Sequence, residues 1–242
     1  MEQQNRGVYR QQVAVDHYRR ATSLQRSEQV LFSRFLKPRD RLLDLGIGAG
    51  RTTRFLRDRP IYVGLDIAQE MTAATFRDLG ETRLVVASAD MLPFADSSFD
   101  SIVFSFNGLG YLDSRNGVYN EVHRVLVPGG IFLFSLHNAR FITGPTQRDL
   151  RSLVAWLPRI PATAARSVSS GRVWRGSGVI DHSRGAPSAL GDLRSTCLAR
   201  GALVREVTTH GFAVQAVLSA PVPGFPAPMS PWYYVAALRN AG

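Results

Sequence analysis

D44-L-G-I-G-A-G50 closes the apolar run R41-L-L-D-L, and a helix is expected to open directly behind it. In an open sheet of parallel strands, ligands bind beyond the carboxyl ends of the strands, and the first strand-to-helix turn is the usual cradle. Glycines in that turn let the backbone approach a ligand closely and adopt conformations a side chain forbids. A dinucleotide fingerprint aligned on Gly46 and Gly48 requires glycine at position 51, where the chain has Arg51. The spacing is G-x-G-x-G instead. Asp44, two residues before the first glycine, would repel a pyrophosphate and attract an ammonium or sulfonium, so the ligand should be cationic at that end.

Outward from this loop, short apolar runs alternate with helical stretches: R41-L-L-D-L, I61-Y-V-G-L, L84-V-V-A, S101-I-V-F-S-F and I131-F-L-F-S-L. That alternation is the rhythm of a parallel sheet covered by helices on both faces. Before it, apolar residues at helical spacing (Leu24, Leu31, Phe35) predict two short helices between Val8 and Leu36, closed by Pro38. From Asn138 to about Ala199 the rhythm breaks around Pro145, Pro158, Pro161 and Pro187. This reads as an insertion, with strands expected at R172-V-W and S195-T-C-L-A. A helix near Arg200 to His210, a strand after G211-F and a last strand in W232-Y-Y-V-A-A-L should complete the sheet.

A chain of 242 residues with 45% hydrophobic composition can bury a sizeable core. The N-terminal M-E-Q-Q-N-R lacks a signal peptide's apolar core, and no apolar run is long enough to span a bilayer. The single cysteine, Cys197, excludes an internal disulfide, and no Cys/His cluster has metal-ligand spacing, so neither a membrane span nor a metal is expected. A cytoplasmic location fits. The net charge of +10 is concentrated in residues 140–205, with 11 basic against 3 acidic side chains, while residues 41–139 are slightly acidic. Lys37 is the only lysine, which points to a chain-wide preference for arginine over selection for binding. The basic segment admits an anionic acceptor, and otherwise is a solvated surface.

D44-L-G-I-G-A-G50 resembles the first motif of class I S-adenosylmethionine-dependent methyltransferases, and the resemblance runs from about Arg41 to Leu136. I61-Y-V-G-L-D66-I-A places an acid at the end of the second strand, S88-A-D90-M-L-P-F one at the end of the third. D96-S-S-F-D100-S-I-V-F resembles the entry to strand four, and E121-V-H-R-V-L-V-P-G-G130 the helix, turn and fifth strand. The family implies a doubly wound, mostly parallel seven-stranded α/β sheet with helices on both faces and an antiparallel last strand, in a Rossmann-like methyltransferase fold. It also implies S-adenosyl-L-methionine as cofactor. Asp44, Gly46, Gly48 and Gly50 would form its cradle, Asp66 would accept from the two ribose hydroxyls, Asp90 would meet the adenine amino group, and Ile67 and Met91 would sandwich adenine. Y9-R-Q-Q-V-A-V-D-H-Y18 resembles an N-terminal lid, which brings Tyr9 and Tyr18 to the cofactor.

The leaving thioether of a sulfonium is already activated, so methyl transfer needs mainly alignment and exclusion of water. If a base is used, His137 is best placed, directly after the fifth strand; His182 in the insertion and Tyr111 after strand four are candidate acceptor contacts, and Asn107 a contact for the cofactor's amino-acid end or for the acceptor. S105-F-N107-G-L-G-Y111 contains no proline, unlike the Asn/Asp-Pro-Pro-Tyr/Phe turn of enzymes acting on exocyclic base amines. Cys197 lacks the preceding proline of cytosine-C5 enzymes. Both absences argue against nucleic acid and for a small-molecule acceptor. The expected organisation is a helical lid (residues 1–40), a cofactor-binding core (41–137), an insertion shaping the acceptor pocket (138–199) and a last helix with C-terminal strands (200–242). The rivals are an RNA- or protein-directed methyltransferase docking through the arginine-rich insertion, and a catalytically silent cofactor-binding protein.

Overall fold

A computed structural model describes residues 2–139, 177–181, 193–219 and 232–241. The central strands are buried along almost their whole length, β1 (Arg41–Leu45), β2 (Ile61–Asp66) and β4 (Phe99–Phe104) among them. Strands covered on both faces read as near-continuous apolar runs, which is why they were legible in the sequence. β3 (Leu84–Val86) pairs with β2, and β5 (Leu126–Asn138) with β4, all parallel. The order is β3-β2-β1-β4-β5, continued on the far side of β5 by β9 (Trp232–Arg239) and then β8 (Phe212–Ser219). β9 runs antiparallel to both of its neighbours.

Alternate residues of these strands feed two cores on opposite faces. Leu43, Leu45, Ile102, Phe104, Phe132 and Phe134 meet Val118, Tyr119 and Val122 of α6 (Asn116–Val125) and Leu203 and Val207 of α7 (Arg200–Thr209). Leu42, Val103, Ile131 and Leu133 meet Leu31 of α3 (Arg26–Phe35) and Leu56 of α4 (Thr53–Leu56). Phe132 is wholly buried, and such a side chain contributes about 1.5–3 kcal/mol by leaving water. A third cluster packs Val8, Ala14 and Val15 of the N-terminal helices on Met71 and Ala74 of α5 (Gln69–Leu79).

Two expectations are corrected. The N-terminal segment forms three helices, α1 (Glu2–Tyr9), α2 (Gln12–Arg20) and α3, instead of two between Val8 and Leu36. The third is set apart by a capping box, in which the Gln25 backbone N–H donates to Glu28 Oε2 at 2.6 Å. The fifth strand is 13 residues long, because the turn formed by Pro128, Gly129 and Gly130 bulges within the β4–β5 ladder, with Gly129 at φ +75°, and does not end it. The seven expected strands are present, and among the described residues the sheet is extended to nine because β5 outruns β4 and pairs at His137 and Asn138 with β7 (Arg194–Leu198), which carries β6 (Ser177–Asp181) antiparallel. The expected strand at S195-T-C-L-A is β7; R172-V-W lies outside the described residues. No helix among the described residues is long and apolar enough to cross a membrane.

Candidate functional site

From β1 the chain winds outward through β2 and β3 to one side and through β4 and β5 to the other, so the crevice between the carboxyl ends of β1 and β4 is the switch point where ligands bind in such sheets. A cavity of about 970 Å³, mouth included, lies there, walled by the glycine loop, the ends of β2 and β4 and the N-terminal helices. Ligand clefts are mostly apolar with a few placed polar groups.

Gly46, Gly48 and Gly50 all adopt left-handed backbone, at φ +62°, +55° and +82°. At Gly46 a side chain would also collide with the Phe104 ring, 2.7 Å from where a Cβ would stand. Gly48 turns its N–H to Asp66 Oδ2 at 2.8 Å, and the Ala68 N–H donates to Asp66 Oδ1 at 2.9 Å. Asp66 thus ties the loop to the end of β2 through backbone donors on both oxygens. A carboxylate has about four acceptor sites, so lone pairs remain for hydroxyls of a ligand in the cavity that it lines. Burial raises its pKa above the usual carboxylate range, against the pull of these backbone N–H groups.

Above Asp66 sits an aromatic lid. Tyr9 and Tyr18 lie with ring centroids 6.0 Å apart, Tyr111 meets Tyr9 edge-on at 6.0 Å, and Phe106 meets Tyr18 edge-on at 6.4 Å. Burial pushes the Tyr18 hydroxyl up to about 12 and raises Tyr9 and Tyr111 too, so all three stay neutral donors near neutral pH. Asn5 on α1 latches the lid. Its amide donates to the carbonyls of Tyr111 and Arg194, both at 2.9 Å, and accepts from the Arg194 N–H at 3.1 Å. Arg19 of α2 makes a two-pronged pair with Asp78 of α5, each contact 2.7 Å.

Arg51, which breaks the dinucleotide spacing, is buried in the cavity wall. It pairs in a fork with Glu28 of α3, at 2.8 and 2.6 Å, and donates to the Ser23 carbonyl at 3.2 Å and Ser105 Oγ at 3.3 Å. Its guanidinium lies over the Phe106 ring, 4.6 Å from the centroid. The sequence offered one signal for this cluster, an arginine where a dinucleotide fingerprint would have glycine.

Of the residues singled out from the sequence, Tyr9, Tyr18, Gly46, Gly48, Asp66, Ile67 and Tyr111 line the cavity. Gly50 lies one step behind, against Leu79 and Thr75. Asp44 does not line it. Fully buried behind the loop, it accepts on Oδ2 from both Thr52 Oγ1 at 2.7 Å and Tyr62 OH at 3.0 Å, while Oδ1 is buried without a hydrogen-bond partner. Asp90 is exposed and Met91 is 77% exposed, both outside the lining, since the turn closed by the Met91 N–H on the Ser88 carbonyl carries them outward. Met71, Ala87 and Ala89 supply the apolar wall beside Ile67. Asn107 is buried with its N–H on Ser135 Oγ at 2.7 Å, and His137 stands behind Tyr111 at a centroid distance of 6.3 Å, neither lining the cavity. His182 lies outside the described residues.

The enclosure of Asp44 has a measurable consequence. Desolvation raises its pKa to about 7, opposed by the hydroxyls of Thr52 and Tyr62. The folded state therefore holds the proton more tightly than the unfolded chain. Its stabilisation is fully present below the ordinary carboxylate range and is lost as pH rises to about 7. Urea unfolding at about pH 5 and about pH 8 should show the wild type losing more stability than Asp44→Asn, which lacks the titrating group. Equal losses in the two proteins would show that Asp44 titrates normally.

The donor set fits an adenosyl sulfonium cofactor. Asp66 has free acceptor sites facing the cavity, Ser88 Oγ in the same wall is buried without a partner, and the left-handed glycine loop leaves room for close backbone approach. Residues 43–134 match the family model described as a methyltransferase domain. The chain is 34% identical over 125 residues to a malonyl-[acyl-carrier protein] O-methyltransferase of Enterobacter lignolyticus, covering 50% of this chain and 49% of that one. It is 36% identical over 137 residues to a demethylmenaquinone methyltransferase of Corynebacterium glutamicum, covering 56% of each. It thus spans about half the length of these curated relatives. Among solved structures, an S-adenosylmethionine-dependent methyltransferase of Mesorhizobium loti superposes with a TM-score of 0.64 at 19% identity, over 87% of this chain and 96% of that one. A glycopeptide N-methyltransferase complexed with S-adenosylhomocysteine gives 0.59 at 20% identity, over 88% of each. At these identities the superpositions bear on fold alone, and it is the same fold. With the glycine loop, the acid ending β2 and the matched model all within residues 43–134, that part of the chain is a methyltransferase domain of the class I S-adenosylmethionine-dependent type.

Proposed function

We propose that the protein transfers a methyl group from S-adenosylmethionine to an O, N or C atom of a small-molecule acceptor, mainly by in-line positioning. The observation that carries this reading is the Asp66 carboxylate, held at the end of β2 by the Gly48 and Ala68 N–H groups and facing a cavity roofed by three tyrosines. The bound cofactor supplies a methyl group on a sulfonium whose thioether is already a good leaving group. Asp66 holds the ribose, Ile67, Met71 and Ala89 pack the base, and Tyr9, Tyr18 and Tyr111 exclude water. Holding two reactants in line can supply about 7–11 kcal/mol of a barrier. No dedicated base is required, and His137 acts by supporting the Tyr111 ring from behind. Residues 138–199 and the N-terminal helices shape the acceptor side. The relatives' names cover a malonyl-acyl-carrier protein and a quinone, which supports the reaction type without selecting an acceptor.

Calorimetric titration of S-adenosylmethionine, S-adenosylhomocysteine and NAD tests the reading. Micromolar binding of the two sulfur compounds and none of NAD is expected. A folded protein that binds neither sulfur compound overturns it.

A further inference from the structure

The turn leaving β4 is held at every residue. Ser105 Oγ donates to Glu28 and receives the Arg51 guanidinium; the Asn107 N–H is fixed on Ser135 Oγ. Between them Phe106 takes φ +56° and Asn107 φ +64°. Asparagine tolerates this left-handed region, but a bulky aromatic there is a conformational outlier. Glycine, present at the position after Asn107, would suit position 106 without strain. Strain of this kind persists where the surroundings over-determine it and marks sites of function.

The strain has an evident product: it keeps an aromatic ring in the cavity wall. The Arg51 guanidinium lies over that ring, 4.6 Å from its centroid, and the Tyr18 ring stands nearly perpendicular to it at 82°. The cation attraction of the ring is already taken up by Arg51. An aromatic ring in a ligand wall favours a flat, unsaturated partner, stacked or edge-on.

We propose that Phe106 is a specificity-determining residue, stacking on a planar, unsaturated, neutral or anionic ring of the methyl acceptor. The inference rests on the methyltransferase reading and adds to it the residue and the chemistry that select the acceptor. Arg51 is a positioning residue for the Phe106 ring.

The test uses the full chain saturated with S-adenosylhomocysteine, into which 2-naphthol and its saturated counterpart decahydronaphthalen-2-ol are titrated. Failure to saturate with S-adenosylhomocysteine defeats the cofactor reading itself, a result separate from those that follow. The wild type is expected to prefer the flat ring by about two- to tenfold, the range of an aromatic pair contact. Phe106→Leu, which keeps an apolar side chain, should lose the preference when each protein is saturated with S-adenosylhomocysteine at its own measured affinity. Phe106→Gly, which suits the left-handed backbone, should do the same and give a wild-type circular dichroism spectrum, separating loss of the ring from loss of the fold. A preference that survives in either variant, or wild-type protein that binds the two probes equally or not at all, overturns the proposal.

Discussion

Replacing Asp66 by alanine is expected to weaken S-adenosylhomocysteine binding by roughly a hundredfold or more, measured by calorimetry on protein shown to be folded. Hydrogen bonds to a charged acceptor are worth about 1.5–3 kcal/mol each, and two ribose hydroxyls would lose theirs together. With about 1.4 kcal/mol per factor of ten, even the lower figure reaches that size. Asparagine should not rescue it. Each Asp66 oxygen already accepts a backbone N–H, from Gly48 on one side and Ala68 on the other. An amide would have to turn its NH₂ toward one of these donors, breaking the tie between β2 and the glycine loop. A folded Asp66→Ala protein that binds within about threefold of wild type would remove Asp66 from the cofactor site.

The second large effect concerns stability. Glu28 and Arg51 are 1% and 7% exposed at their side chains, and their fork joins α3 to the glycine loop and to Ser105 after β4. Removing one partner of a buried pair leaves the other charge desolvated and uncompensated, a loss of about 3–5 kcal/mol. Glu28→Ala should therefore lower the melting temperature by roughly 6–20 °C in a chain of this size. The effect should exceed that of Asp78→Ala, whose partner Arg19 is 37% exposed and whose pair is screened by water. Glu28→Ala combined with Arg51→Met should recover part of the loss, because the orphaned charge goes with its partner. A Glu28→Ala protein within about 1 kcal/mol of wild type in urea would show that water reaches the pair.

What was legible in the sequence depended on how local its physical cause was. The glycine loop, the acid ending β2 and the buried central strands each follow from a few adjacent residues: left-handed backbone needs glycine, and a strand covered on both faces must be apolar throughout. These features determined the fold class and the family, and placed Asp66, Gly46 and Gly48 at the site. Residues that follow a strand were harder, because a turn of one residue redirects a side chain; Asp90 and Met91 have the expected spacing yet point outward. Asp44 sits in the expected strand, but whether its oxygens face a ligand or the hydroxyls of Thr52 and Tyr62 depends on how α4 packs. The strand at S195-T-C-L-A was legible, but its pairing with β5 was not: β5 outruns β4 and exposes an edge that another strand covers, a matter of relative strand length that no local pattern records. The same holds for Asn5, Glu28, Arg51 and Phe106. Their partners lie between 23 and 189 residues away for the hydrogen bonds of Arg51 to Glu28 and of Asn5 to Arg194. Only the tertiary structure brings them together, because buried polar groups are satisfied by whichever partner folding delivers.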